Sequence, residues 1–539
     1  MSESCYLRRV KSLLYALLAG LAAASSSAAQ RIVPRTMKPV ATVDERFQSF
    51  NVEMVEVTGG RFWKPYKDVG AILNAPPTQL ANQPAGIDPR LFQQRAPIDL
   101  SNARLRTLAA ALGPAYLRVS GTWANTIYFH DAESKPPVTP PAGFNGVLTR
   151  GQWKGVVDFS RVARLPIVTS FAVSEGTRNA AGVWTPAQAR AFVAYTKSIG
   201  GTIAAAEFMN EPTYAVIGGV PKGYDAVAYG RDLAVFRPFL REALPDAILL
   251  GPGSVGEGVA LGGSGIPMLK SEDLLVHAGA VDAFSYHFYG GVSQRCGGGT
   301  GAMTTATTTT AAAALSEDWL TRTQKVEAFY RSLRDKFQPG KPIWLTETAD
   351  AACGGNPWGA TFLDSFRDLE QLGRLAQKGV QVVAHNTLTA SDYGLIDETT
   401  LTPRPNYWAA LLWKKLMGTT VLQPDQSSAA PLHLYAHCMQ GRPGGVVLLA
   451  INTDRAAAHT IELSAASARY TLSAHTLESA TVQLNGRDLA MIGEGIPSLL
   501  AVPAAAGTVT FAPASITFLA MPSANNVSCT VHSRELIAR

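Results

Sequence analysis

Two acidic side chains stand where apolar runs end. In AAEFMNEPTY, residues 205–214, Asn210 and Glu211 close a stretch that reads as a buried strand, and Pro212 follows at once. In WLTET, residues 344–348, Glu347 closes another. Paired carboxylates on one rim suit cleavage of a glycosidic bond: one, protonated, gives a proton to the leaving oxygen, and the other, ionised, attacks the anomeric carbon. Their neighbourhoods divide those tasks. Glu211 follows an apolar strand and precedes proline, so desolvation raises its pKa; Glu347 has Thr346 and tyrosine donors to keep it charged. Each glutamate alone reads equally well as a strand-end salt bridge, and only the pair points to chemistry.

The elements that must position this pair are legible as alternation. Eight short apolar runs, FQSFNVEM (47–54), AYLRVSG (115–121), PIVTSFAV (166–173), IAAAEFMNE (203–211), AILLGPG (247–253), VDAFSYHFY (281–289), KPIWLTET (341–348) and VQVVAHNT (380–387), are separated in several places by stretches of helical periodicity such as TFLDSFRDLEQLGRLAQKG. Strand and helix repeated eight times predict an α/β fold, a (β/α)8 TIM barrel over 45–415, with a doubly wound open sheet as the alternative. In such a barrel the carboxyl ends of the strands carry the site, which puts Glu211 and Glu347 on one rim. From 416 to 539 short β-rich segments such as VVLLAIN and SITFLAM predict a β-sandwich domain, and residues 30–44 offer it one further strand. CGGGTGAMTTATTTTAAAA, 296–314, reads as a mobile low-complexity loop.

Composition narrows the class. With 47% hydrophobic and 16% charged residues among 539, the chain is globular. Residues 1–29, with Arg8, Arg9 and Lys11 ahead of an apolar stretch and small residues at Ser27 and Ala29, read as a cleavable export signal, which implies a secreted or periplasmic protein without a stable membrane anchor. The remaining chain is mildly basic, and no lysine and arginine run marks a nucleic-acid surface. Cys296, Cys353, Cys438 and Cys529 remain after the signal; in an exported chain they predict disulfides, with three pairings open. Two motifs carry nothing. GPGSVG (251–256) satisfies a dinucleotide pattern without a following helix, and His433 and His437 have metal spacing only on a helix, where their segment reads as a strand.

PAYLRVSGTWAN (114–125), SYHFY (285–289), WLTETADAACGG (344–355), DYGLIDE (392–398), PNYWAALLWKKLMGT (405–419) and LYAHC (434–438) resemble the heparanase and β-glucuronidase family of retaining glycoside hydrolases, in order from about residue 45 to the end. The resemblance implies Glu211 as general acid/base and Glu347 as nucleophile, with Asn210 on the sugar 2-hydroxyl and Tyr289 on the nucleophile. It implies that Gly354 and Ser391, by backbone N–H, and Tyr393 hold a uronate carboxylate. A neutral sugar would leave those donors unpaired. It also implies that Glu53, Thr122 and His385 meet sugar hydroxyls. Three positions depart from vertebrate heparanase: Glu53 stands for aspartate, Ser391 for glycine and His385 for glutamine.

The resemblance pairs Cys438 with Cys529 in the sandwich, leaving Cys296 and Cys353 to bridge loops beside the cleft. The short chain between Phe129 and Gly151 implies a single-chain enzyme needing no internal proteolysis, and near it only Lys154, Arg161 and Arg164 stand as basic candidates for a sulfated chain. The expectation is therefore a monomeric retaining endo-β-glucuronidase acting on an acidic polysaccharide such as heparan sulfate, without cofactor or metal. An exo-acting β-glucuronidase and a catalytically silent carbohydrate-binding protein are the alternatives.

Overall fold

The eight apolar runs close into one parallel barrel. The computed structural model describes residues 30–73, 89–258, 267–297, 309–424 and 430–530; the expected export signal lies outside them, as does most of the low-complexity stretch. Strands β1 (Gln48–Glu53), β2 (Leu117–Ser120), β3 (Ile167–Ser170), β4 (Ile203–Glu207), β5 (Ile248–Ser254), β6 (Ala283–Val292), β7 (Ile343–Ala352) and β8 (Val382–His385) pair in chain order, and β8 returns to β1. The closure explains why the runs are continuously apolar rather than alternating, since strands in a parallel barrel are covered on both faces.

A helix follows each strand: α1 (Ala103–Ala111), α2 (Arg150–Ala163), α3 (Ala187–Ser198), α4 (Ala226–Ala243), α5 (Ser271–Ala278), α6 (Glu317–Phe337), α7 (Phe362–Gln377) and α8 (Pro405–Leu416). Local signals start several of them. Asn102, Asp225 and Ser316 accept from the first-turn backbone of α1, α4 and α6, and Thr149 and Gln152 form a reciprocal capping box on α2.

Besides two short two-stranded sheets in the loops after β1 and β2, the described residues build two further sheets. The larger runs Lys38–Thr42, Met417–Gln423, Leu432–Met439, Val446–Asn452, Ser515–Met521 and Ser467–Ser473 before its short outer strands; the smaller joins Gln30–Ile32, His459–Leu463 and Gly507–Phe511. Between them lies an apolar layer that includes Ile32, Leu434, Leu448, Ile461, Phe511 and Leu519. Alternate residues of the larger sheet, Tyr435, Val447, Leu449 and Phe518, point the other way into a core continuous with the barrel helices. Both N-terminal strands thus sit in the sandwich, one in each sheet. α7 is trapped against the larger sheet and almost wholly buried: a methyl on Gly373 would stand 2.4 Å from the Tyr435 ring. Two disulfides are present, Cys438–Cys529 in the sandwich and Cys296–Cys353 between the segments after β6 and β7.

Candidate active site

The two glutamates meet at the carboxyl end of the barrel. β4 stops at Glu207, so Glu211 lies beyond the ladder rather than at its last rung. It is in the left-handed region, φ 48°, and leads into the single turn Pro212–Tyr214. A non-glycine residue costs roughly 1–3 kcal/mol there and persists only where its surroundings over-determine it. Asn125 supplies part of that constraint: its Oδ1 accepts from Asn210 N at 2.9 Å and its Nδ2 donates to Asn210 O at 3.0 Å. Glu347 sits inside β7, beside His287 of β6.

Between them the barrel holds a buried polar network that the sequence reading missed. Arg118, in the middle of β2, donates to Glu207 Oε2 at 2.8 Å, to Asn210 Oδ1 at 2.8 Å and to Glu347 Oε2 at 2.8 Å. Thr346 donates to the other Glu207 oxygen. His287 Nδ1 is 3.0 Å from Glu211 Oε1 and 3.8 Å from Glu347 Oε2, and its Nε2 faces Arg118 Nη2 at 3.2 Å. Arginine can only donate, so in the neutral imidazole Nε2 accepts and the Nδ1 proton goes to Glu211. Tyr289 OH donates to Glu347 Oε1 at 2.6 Å and accepts from Asn386 Nδ2, which also donates to Glu53 Oε1 at 3.1 Å. Ligand atoms of Glu211, His287 and Glu347 all lie within 4.8 Å of one another. That spacing also fits a cation, but Arg118 already brings positive charge to Glu347.

Electrostatics separates the two carboxyls. Burial, reinforced by the negative charge of Glu347, pushes Glu211 up from the ordinary carboxylate range despite its bond to His287. Burial also works against ionisation of Glu347, yet His287, Arg118 and the Tyr289 hydroxyl together outweigh it and hold Glu347 low. Glu207 is held low in the same way, burial being outweighed chiefly by Arg118. Burial and then neighbouring carboxylates push Tyr289 and Tyr393 well up, so both hydroxyls remain donors.

The other expected positions gather on the same rim. Glu53 ends β1 and shares a reciprocal capping box with Glu56 on the short helix Met54–Thr58; burial and Glu347 push it well up. It approaches Gly121 so closely that a methyl there would lie 1.6 Å from Oε2. Thr122 follows, opening the turn Thr122–Thr126. Among the described residues the Nδ2 of Asn210 is buried without a partner. Ser391 Oγ donates to Gly354 O at 2.8 Å, which puts those two segments side by side, and Tyr393 OH accepts from Asn386 at 3.3 Å. Among the described residues the backbone N–H groups of Gly354 and Ser391 meet no acceptor.

His385 departs from expectation. Its Nε2 is 2.8 Å from Tyr393 O and its Nδ1 3.2 Å from Asp368 Oδ1, so both ring nitrogens serve protein partners and neither is left for a sugar hydroxyl. The ring instead fixes the segment that carries Tyr393.

No protein-family profile matches the chain. Mouse heparanase is 28% identical over 506 residues, covering 80% of this chain and 88% of that protein. Arabidopsis thaliana heparanase-like protein 1 is 26% identical over 388 residues, 68% of this chain and 67% of that one. Mouse inactive heparanase-2 is 30% identical over 220 residues, 36% and 37% of the two chains. Among solved structures, a 4-O-α-L-rhamnosyl-β-D-glucuronidase from Fusarium oxysporum superposes with a TM-score of 0.57 at 13% identity, covering 92% of this chain and 99% of that one. A GH51 arabinofuranosidase from Xanthomonas axonopodis gives 0.58 at 17%, over 90% and 98%. At such identities the structural likeness establishes the fold, and the sequence relatives supply the kinship. The chain is a glycoside hydrolase, homologous to the heparanases and heparanase-like proteins.

Proposed function

We propose that this enzyme is a retaining endo-β-glucuronidase that cuts glucuronate-containing polysaccharide, heparan sulfate or a related glycosaminoglycan, by double displacement. One observation carries the reading: two carboxyls with an oxygen of each within 4.8 Å of the other, in environments that raise the pKa of Glu211 and lower that of Glu347. Retaining enzymes separate their carboxyls by about 5–5.5 Å, whereas inverting enzymes need about 6.5–9.5 Å to admit water.

In this scheme Glu211 gives its proton to the glycosidic oxygen while Glu347 attacks the anomeric carbon. Tyr289 and Arg118 hold one Glu347 oxygen each and so fix its line of attack. The resulting glycosyl ester is hydrolysed when Glu211, now ionised, takes a proton from an incoming water and Glu347 departs. Asn210 offers Nδ2 to the 2-hydroxyl, and Glu53 and Thr122 face other hydroxyls. Gly354 and Ser391 N–H, with Tyr393 OH, receive the uronate carboxylate. Two disulfides fit an oxidising compartment, which supports export.

The decisive experiment is digestion of heparan sulfate, unsulfated heparosan and an aryl glucuronide, with sizing of products and proton NMR of the first-formed anomer. Mid-chain fragments bearing a β reducing end are expected. Release of monosaccharide alone would make the enzyme exo-acting, and an α anomer would overturn double displacement. Glu347→Ala is expected to lose turnover by at least about 10⁴-fold while still binding substrate.

A further inference from the structure

Arg295 lies just after β6, next to the disulfide-bonded Cys296, and its side chain is buried. Nothing in the chemistry above uses it. Its guanidinium ties together segments that follow four different strands. Nη1 donates to Gly354 O at 2.9 Å and to Cys353 O and Gly355 O at 3.3 Å each, all after β7. Nη2 donates to Lys64 O at 2.5 Å, after β1, and pairs with Asp392, after β8. The guanidinium's central carbon lies over the Tyr66 ring, 3.9 Å from the centroid. Asp392 is the one carboxylate hydrogen-bonded to it among the described residues, and it sits between Ser391 and Tyr393.

We propose that Arg295 is the positioning residue that sets preference for an acidic over a neutral sugar, acting through the peptide it holds. This rests on the reading that Gly354 and Ser391 receive the uronate. The Cys353–Gly354 peptide has its carbonyl on the guanidinium, and in a trans peptide the N–H of Gly354 leaves from the opposite edge. A cation on the oxygen polarises the unit and makes that N–H a stronger donor to an anion beyond it. The same group fixes Ser391 through Asp392 and through the shared acceptor Gly354 O. A backbone that must turn this tightly around a buried cation also has no room for a side chain: a methyl on Gly354, at φ +82°, would lie 2.6 Å from Ser391 Oγ and 2.9 Å from Arg295 Nη1.

The test compares kcat/KM on heparosan with kcat/KM on carboxyl-reduced heparosan, in which the same chain carries neutral glucose. Their ratio does not depend on what fraction of a preparation is folded. For Arg295→Gln the ratio is expected to fall about 10- to 100-fold, the scale of a lost charge-assisted contact, with the loss carried by KM on heparosan. Arg295→Lys, which restores the charge but not the fork, is expected to recover part of it. Equal losses on both polymers, an unchanged ratio, or failure of both variants to fold would overturn the proposal by leaving Arg295 a structural role only. Absence of any preference for heparosan in the unmodified enzyme would instead refute the uronate site itself, and that result is read before any variant is made.

Discussion

At the scale of single residues, hydrogen-bond donors are placed unevenly around the two like carboxyls of the candidate site. Glu347 is held by Arg118 and Tyr289, whereas among the described residues the side chain of Glu211 is hydrogen-bonded to His287. His287 is therefore the residue through which both ionisations can be moved. Its loss removes the largest influence holding Glu347 low, so His287→Asn is expected to shift the acidic limb of the kcat/KM profile upward. A pH–rate profile in which only the basic limb moves would contradict this assignment. Arg118 is a different case: removing it leaves Glu207 buried and uncompensated, and Arg118→Met is expected to cost about 3–5 kcal/mol of stability by denaturant titration. Gly121→Ala is expected to reduce activity without unfolding the chain, because a methyl there collides with the carboxyl of Glu53 at the end of β1 and not with an apolar side chain.

At the scale of elements, the barrel was readable because each strand is a short apolar run between helices, and the closing residues of two runs gave the candidate pair. What escaped reading lay inside the runs. Arg118 within AYLRVSG and Glu207 within IAAAEFMNE are charges in the middle of apolar strands, and a buried charge demands a partner. That demand was a usable signal, since the two satisfy each other. Local sequence gives no such warning for the four-residue overshoot of β4, because where a ladder stops depends on its neighbours β3 and β5. The same holds for His385, whose ring nitrogens are taken by α7 and by the chain beyond β8. α7 itself shows how tightly elements are interlocked. Gly373→Ala would drive a methyl into the Tyr435 ring, and such overpacking is expected to cost about 1–3 kcal/mol, measured as a fall in Tm.

At the scale of the whole molecule, barrel and sandwich share one continuous apolar core and a buried polar cluster. His433 of the sandwich pairs with Glu370 of α7 and stands 2.7 Å from Glu317 at the start of α6, while Arg374 and Tyr435 hold the other Glu370 oxygen. Burial alone would lower the His433 pKa, but Glu370 outweighs it and the result is raised. A raised histidine contributes stability that is complete below its ordinary value of about 6.5 and is lost as pH climbs through the higher folded-state value. Tm is therefore expected to decline above neutrality, and His433→Gln is expected to flatten that decline. A helix sealed between two layers also dictates how the molecule comes apart. Neither layer can detach without baring α7 to water, so calorimetry should record one unfolding event, and a barrel expressed without its β-rich partner should precipitate instead of acting as a minimal catalyst.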